Sequence, residues 1–178
     1  YLFDWASQPY NTLLLTFVFA PYVDDIVGSG SEAQAVWGFT VGAAALIMAL
    51  MSPVLGAIAD TTGRRMPWLW AFSILYVVGS AATWFAVPEG DIWPVLVLFA
   101  AGLIGMEFAT AFTNAMLPGL AAPKEVGRVS GTGMAIGYVG GFVALALALC
   151  FLAESATPGQ TLIGLDPFFG LDGATRDR

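Results

Sequence analysis

Charge-free stretches as long as a membrane is thick dominate this sequence. Each of four such windows comes close to or exceeds the roughly 20 residues that a helix needs to cross about 30 Å of hydrocarbon. They lie between Asp4 and Asp24, Glu32 and Asp60, Arg65 and Glu89, and Arg128 and Glu154. A fifth apolar window runs from Ile92 to Pro123 and is interrupted only by Glu107.

These windows predict an all-α, polytopic membrane protein with five transmembrane helices. We place the helices at about 3–23, 34–59, 67–87, 92–117 and 129–152. The composition, 58% hydrophobic and 11% charged, disfavours a soluble helical protein because so few charges cannot coat several such helices. A β-barrel is disfavoured because the windows lack the alternation of apolar and polar residues.

The remaining segment, residues 153–178, is predicted to be an extracytoplasmic loop leading to a sixth helix outside this chain. Its apolar patches between Leu162 and Leu171 are compatible with a position along the outer membrane surface. Because the chain begins with Tyr1 and stops soon after the fifth helix, we expect it to be a fragment of a longer protein.

The charged residues between the helices are sorted by sign, which predicts an orientation. Two alternate gaps hold Arg64, Arg65, Lys124 and Arg128, whereas the other two hold Asp24, Asp25, Glu32, Glu89 and Asp91. Short loops rich in Lys and Arg stay cytoplasmic, so we expect a cytoplasmic N-terminus in a bacterial-type inner membrane. The net charge of −7 mostly reflects the outer loops and gives no indication of a nucleic-acid partner.

The residue inventory argues against an enzyme and against a metal or cofactor site. The chain has no His and a single cysteine, Cys150, inside an apolar window. A zinc or redox-metal site needs more such ligands. No nucleophile–base pair, phosphate-binding glycine loop or paired-carboxylate arrangement is recognisable.

The gap between the second and third helices carries the most specific pattern in the chain. Gly56 lies one turn before the helix end, where a missing side chain allows close backbone approach. Asp60 can accept hydrogen bonds or pair with the arginines, and Gly63 permits a left-handed turn. Arg64 and Arg65 then face water and anionic lipid headgroups. For isolated residues, an ordinary tight cytoplasmic turn is the simpler interpretation.

The whole string from Gly56 to Arg65, G-x-x-x-D-x-x-G-R-R, resembles the signature loop of the major facilitator superfamily, at the same place in the topology. The resemblance implies the N-terminal helical bundle of a twelve-helix transporter, with a C-terminal half of the same protein as its partner. It also implies that the loop latches the two halves and controls their rocking, without binding substrate.

Two further stretches resemble a narrower group, the "unknown major facilitator" transporters, which includes the fungal vacuolar autophagy-related amino-acid effluxer. They are the first helix, from Asp4-Trp-Ala-Ser7 to Phe19, and the segment from Asn114-Ala-Met-Leu-Pro118 to Gly141. Gly119 follows Pro118 where that group would have an acidic residue, so any role for that acid is absent. The approach Ser52-Pro53-Val-Leu-Gly56 also resembles the glycoside–pentoside–hexuronide cation symporters.

Polar residues inside the apolar windows are the candidates for a solute or proton pathway. Ionisable groups at membrane depth are costly and usually face a cavity or a partner. Glu107 lies deep in the fourth helix, and Asn114 follows seven positions later on the same face. On the first helix, Asp4, Gln8 and Asn11 fall at i, i+4 and i+7, a single polar stripe.

The resemblance implies that the first and fourth helices line a central cavity, so we expect the two polar stripes to face each other. The alternatives are structural: Asp4 could cap the first helix in the interface, and Glu107 could hydrogen-bond a neighbouring helix. On the fifth helix, Gly133, Gly137 and Gly141 form a flat strip that predicts close helix packing.

Together these observations predict a secondary transporter that moves a small polar solute, coupled to a proton or another cation, by alternating access. The resemblance makes amino-acid efflux the first hypothesis for the substrate. A sugar–cation symporter of the same superfamily is the alternative, and a non-transporting membrane scaffold or receptor is an alternative of another class.

Overall fold

A computed structural model of the chain describes residues 1–28, 30–87, 90–155 and 159–170, without the side chains of Asp60 and Thr62. Within these ranges the chain forms helices and turns and no β-strand. Four of the described helices are long and apolar enough to span a membrane: Gly30–Ala59, Met66–Phe85, Trp93–Leu120 and Val126–Leu152. The predicted all-α, multi-pass class is confirmed.

The first apolar segment differs from the single helix predicted at 3–23. It consists of α1 (Leu2–Pro9), a π-helix (Tyr10–Phe17) and α2 (Phe19–Val27). Proline has no N–H to donate, so Pro9 interrupts the regular hydrogen-bond pattern where the π-helix begins. At the other end Val18 has φ −115° and ψ −60°, and its N–H donates to the Leu13 carbonyl at 2.8 Å.

The later helices are continuous and connected by short turns. They are α3 (Gly30–Thr62), α4 (Met66–Ala82) with a 3-10 turn (Thr83–Phe85), α5 (Trp93–Leu120), and α6 (Val126–Leu147) with a terminal π-helix (Ala148–Leu152). A last 3-10 turn covers Phe168–Gly170. Pro67 and Pro94 lie in the first turns of α4 and α5, where a missing N–H costs nothing.

Helix α5 is the centre of the bundle. More than half of its most apolar window, 56%, is buried, against 11% for the corresponding window of α3. Its closest partner is α4, which it meets backbone to backbone. A Cβ added to Gly79 would lie 2.6 Å from the Leu98 carbonyl, and one added to Gly105 would lie 2.7 Å from the Phe72 carbonyl. Glycine is therefore required where these two helices cross.

Aromatic side chains fill the space between the first segment and α5. The Tyr10 ring stacks on the Phe99 ring with centroids 5.5 Å apart. Its hydroxyl donates to the Phe99 carbonyl at 2.6 Å. In the opposite direction, the Tyr76 hydroxyl on α4 donates to the Ala6 carbonyl on α1 at 2.8 Å. A second cluster, between α3 and α5, contains Leu55, Ala59, Phe108 and Phe112.

Candidate transport site

One face of α5 is exposed and carries two polar side chains. Gly105 packs against α4, and Glu107 lies two residues further on, about 200° around the helix. Glu107, Ala111 and Asn114 are all exposed. Glu107 lies near the middle of this 28-residue helix, about 20 Å from either end at 1.5 Å per residue. The central helix therefore presents a carboxyl and a carboxamide on its unpacked side.

The residues on either side of Glu107 are buried against different neighbours, so the exposed face of α5 lies between those two contacts. Met106 is 2% exposed and belongs to the core shared with the first segment. Phe108 belongs to the cluster that includes Leu55 of α3, and its ring contacts that of Phe72 on α4 with centroids 5.1 Å apart. A shallow cavity of about 210 Å³ also separates α3 from α5, with Ala111 in its lining. The exposed face that carries Glu107 thus has the core of the first segment on one side and the cluster of α3 and α4 on the other.

Asn11 is the member of the predicted polar stripe that contacts α5. Its Nδ2 donates to the Met106 Sδ at 3.9 Å, and the Thr110 hydroxyl approaches the same sulfur at 3.8 Å. The Thr110 hydroxyl also donates to the Met106 carbonyl at 2.9 Å. Asn11 is therefore held against the residue of α5 that precedes Glu107.

Asp4 and Gln8 face α6, not α5. A Cβ added to Gly133 would lie 2.6 Å from the Asp4 Oδ2, and one added to Gly137 would lie 3.0 Å from the Gln8 Cγ. Further along, a Cβ on Gly141 would lie 2.5 Å from the Thr12 hydroxyl oxygen. The glycine strip of α6 is thus filled by the polar side chains of the first segment. The expectation that the whole stripe faces the fourth predicted helix is wrong for Asp4 and Gln8.

The π-helix explains why the stripe divides. In an α-helix the residue seven positions after Asp4 lies on the same face as Asp4. The π-helix starts at Tyr10, and its i→i+5 hydrogen bonds make each turn wider. The face that begins with Asp4 and Gln8 therefore continues with Thr12, while Asn11 rotates towards Met106. Nothing in the residue spacing indicated this change of register.

The loop between α3 and α4 docks against the far end of α5. Gly63 has φ +63°, the left-handed conformation that favours glycine, and its N–H donates to the Ala59 carbonyl at 3.0 Å. The Arg65 guanidinium donates to the Ala115 carbonyl. Arg64 is exposed. A cleft of about 430 Å³ opens here, lined by Ala59, Gly63, Arg65, Met66, Met116, Gly119 and Leu120.

Gly56 and Asp60 are the two remaining residues of the loop pattern. A Cβ added to Gly56 would meet nothing within 4 Å among the described residues, so no described backbone makes the close approach expected there. Gly56 instead lines the shallow cavity between α3 and α5. The backbone of Asp60 lies in the last turn of α3, and its side chain lies outside the described part of the structure.

Sequence reasoning assigned no role to Tyr10 and Tyr76 as anchors of the first segment. Both phenols bond to backbone carbonyls of another helix, and they fix the height of Asn11 relative to Met106. The available signal was a tyrosine directly after Pro9, since a hydroxyl at membrane depth needs a partner. Within the described ranges, no three His, Cys, Asp or Glu residues come together as a metal site would require.

The fold and the exposed face of α5 define a multi-pass helical membrane protein whose central helix exposes polar groups at membrane depth. The family model described as Major Facilitator Superfamily matches residues 5–145, so the chain belongs to that superfamily, as the loop pattern predicted. The chain is also 29% identical over 163 residues to the uncharacterized MFS-type transporter YxiO of Bacillus subtilis strain 168.

That alignment covers 88% of this chain and 38% of the Bacillus protein, so the chain spans well under half the length of this relative. No solved structure matches the chain. The narrower resemblance to the amino-acid effluxer group stays a prediction.

Proposed function

We propose that this chain forms the first half of a secondary transporter that moves a small polar solute by alternating access. The observation that carries the proposal is the exposed position of Glu107 and Asn114 on the unpacked face of α5. A carboxyl at mid-membrane depth is costly against lipid, so such residues face water, a solute or a partner. Transporters of this kind bind solute near the bilayer midplane between their two halves.

The proposed coupling to a proton or another cation is supported by the distribution of charged residues. No Lys or Arg occurs between Arg65 and Lys124, so α4 and α5 supply no internal cation to neutralise Glu107. A carboxylate without such a partner is expensive to bury when the two halves of the transporter close over it. Binding a proton or a cation from solution removes that cost, and it links the charge state of Glu107 to the conformational cycle.

The loop between α3 and α4 is proposed to control the rocking of the two halves. Its Arg65 bonds to the Ala115 carbonyl, next to Asn114 on the exposed face of α5. A movement of the loop would therefore act directly on the helix that carries the site. The partner in this motion is the C-terminal half of the same transporter.

Our first hypothesis for the solute is an amino acid moved out of the cytoplasm. It rests on the resemblance of Asp4–Phe19 and Asn114–Gly141 to the effluxer group. The orientation, with the N-terminus in the cytoplasm of a bacterial-type inner membrane, rests on the four basic residues. Arg64 and Arg65 precede α4, and Lys124 and Arg128 lie between the end of α5 and the first turn of α6, which is the same end of the bundle.

The test is solute flux in proteoliposomes that hold the complete protein, with protein-free liposomes as the control. A panel of amino acids would be measured with and without a pH gradient, followed by a panel of glycosides and a sodium gradient. Gradient-driven flux of an amino acid supports the proposal in full. Flux of a glycoside alone would retain transport and replace the substrate hypothesis. No gradient-driven flux from either panel would contradict the proposal.

A further inference from the structure

The segment 159–170 folds back onto the end of the bundle where α4 and α6 finish. The Leu162 N–H donates to the Leu149 carbonyl at 3.1 Å. The ring of Phe168 stacks on that of Phe151 with centroids 5.5 Å apart. These contacts place the segment level with the last turn of a membrane-spanning helix, which is where the hydrocarbon gives way to the lipid headgroups.

Most of the exposed side chains of this segment are large and apolar, and Gln160 and Asp166 are its exposed polar side chains. Thr161 is only 2% exposed, and it closes the turn by pairing with Leu165 through an N–H···O bond of 2.7 Å. The large apolar side chains point outward instead. Their exposed fractions are 66% for Leu162, 52% for Ile163, 45% for Leu165, 51% for Phe168 and 74% for Phe169. We call these five residues the interfacial patch.

Phe169 has a strained backbone conformation in the segment that carries the interfacial patch. Its φ of +64° is the one positive φ of a residue other than glycine in the described chain, a conformation that bulky residues rarely adopt. The strained turn brings the Phe169 ring edge-on to Trp84 with centroids 6.5 Å apart. Trp84 and the neighbouring Phe85 are themselves 56% and 72% exposed. The patch is therefore continuous with the aromatic end of α4.

We propose that the interfacial patch inserts into the boundary between the lipid headgroups and the acyl chains, so that this connection lies in the membrane surface. Aromatic side chains at the ends of spanning helices are typical of that depth. The attraction is apolar, because no Lys or Arg occurs between Arg128 and Arg176 to bind anionic headgroups. The bound partner is thus the glycerol and upper acyl region of any phospholipid.

The experiment measures the depth of spin labels in the complete protein, reconstituted in phosphatidylcholine vesicles. Phe169→Cys and Ile163→Cys would be made in a Cys150→Ala background and labelled with a nitroxide. Gln160→Cys is the matched control, since Gln160 is exposed and polar and lies one residue before the buried Thr161. Collision rates with oxygen, which concentrates in lipid, and with a water-soluble nickel chelate would then be compared.

The proposal predicts an oxygen-to-nickel ratio several-fold higher at positions 169 and 163 than at position 160. Ratios equal to that of position 160 would place the patch in water and overturn the proposal. Low collision rates with both reagents would also overturn it, because they would mean that protein covers the patch. Two positions of the patch are labelled so that the test remains valid if one substitution disturbs folding. Neither collision measurement depends on transport activity.

Discussion

Two polar stripes run through the apolar helices of this protein, and their surroundings differ. The stripe of the first segment, Asp4, Gln8 and Thr12, is pressed against the glycines of α6, with a Cβ on Gly133 only 2.6 Å from the Asp4 carboxylate. The stripe of α5, Glu107 and Asn114, faces away from every packed neighbour and is exposed. Similar residue types at similar spacing thus serve as packing in one case and as an open surface in the other.

The difference shows that a polar group in a membrane helix is a candidate for a solute site when no neighbouring helix packs against it. Glycines opposite Asp4 and Gln8 leave just enough room for those side chains, so the space beside them is already occupied. Glu107 has buried residues on both sides along the helix, Met106 and Phe108, but is itself exposed. The α5 stripe is therefore our proposed site for solute and proton chemistry, whereas the first stripe contributes to close packing.

The largest expected effect comes from removing the charge of Glu107. Glu107→Gln keeps the shape and hydrogen-bonding capacity of the side chain but cannot bind or release a proton. We expect gradient-driven flux to fall by at least about tenfold, which corresponds to roughly 1.4 kcal/mol in the limiting step. The measurement is initial flux in proteoliposomes at a fixed pH gradient.

The matched control for this variant is Glu125→Gln. Glu125 forms an exposed ion pair with Arg128 at 2.8 Å, and such pairs contribute about 0–1 kcal/mol, so flux should be unchanged. Equal flux in wild type and Glu107→Gln would assign Glu107 to packing and would remove the contrast between the two stripes.

The next effect in size concerns the strip of glycines on α6. A Cβ on Gly140 would lie 2.6 Å from the backbone carbonyl of Trp5, which cannot move without shifting α1. That carbonyl also lacks its usual helical partner because Pro9 has no N–H. We expect Gly140→Ala to destabilise the protein by about 1–3 kcal/mol, measured as a lowered apparent Tm in detergent.

Substitutions of two other glycines of α6 serve as comparisons for that prediction. Gly131→Ala, where a Cβ meets open space, should raise stability by about 0.4–1 kcal/mol through helix propensity. Gly133→Ala should fall between the two, because its obstacle is the movable Asp4 side chain. If Gly140→Ala and Gly131→Ala have the same Tm, α6 does not pack on α1 as described.

A smaller effect is expected at Asn114, whose carboxamide would contact the solute without carrying charge. One hydrogen bond contributes about 0.5–1.5 kcal/mol, so Asn114→Ala should raise KM by about two- to tenfold and change kcat less. Thr113→Ala is the control, since the Thr113 hydroxyl bonds to the Ala109 carbonyl of its own helix at 2.8 Å. A KM that is unaltered in Asn114→Ala would remove this residue from the site.

The smallest effect is predicted for Asp4. Asp4→Asn keeps the volume that fills the space beside Gly133, so flux should stay within about twofold of wild type, with no change in its dependence on the pH gradient. The same flux assay checks this expectation. A loss as large as that of Glu107→Gln would place both stripes in the pathway and would make the division between them wrong.

The helical class and the position of Glu107 were predictable from sequence because they depend on local properties. A charge-free window of membrane length has few alternatives, and one carboxyl inside such a window is conspicuous. The loop from Gly56 to Arg65 was equally clear, since Gly63 does take the left-handed conformation that its place in the turn requires.

The division of the first stripe was not predictable, because it depends on a π-helix and on which neighbour approaches each face. Helical spacing alone placed Asn11 with Asp4 and Gln8. Pro9 marks where the regular pattern stops, but its identity does not specify a wider turn, and the bonds of Tyr10 and Tyr76 to carbonyls of other helices are tertiary contacts. The break at Val18 likewise has no marker in its own residue type.

The most direct test of the contrast is the water accessibility of Ala111, which lies on the exposed face of α5 between Glu107 and Asn114. Ala111→Cys would be compared with Ile74→Cys, an apolar and 61% exposed position of α4, both in a Cys150→Ala background of the complete protein. We predict that a charged, membrane-impermeant maleimide modifies position 111 and leaves position 74 unmodified. Modification of neither position would show that the α5 face is covered by lipid or protein, and it would contradict a solute pathway along Glu107.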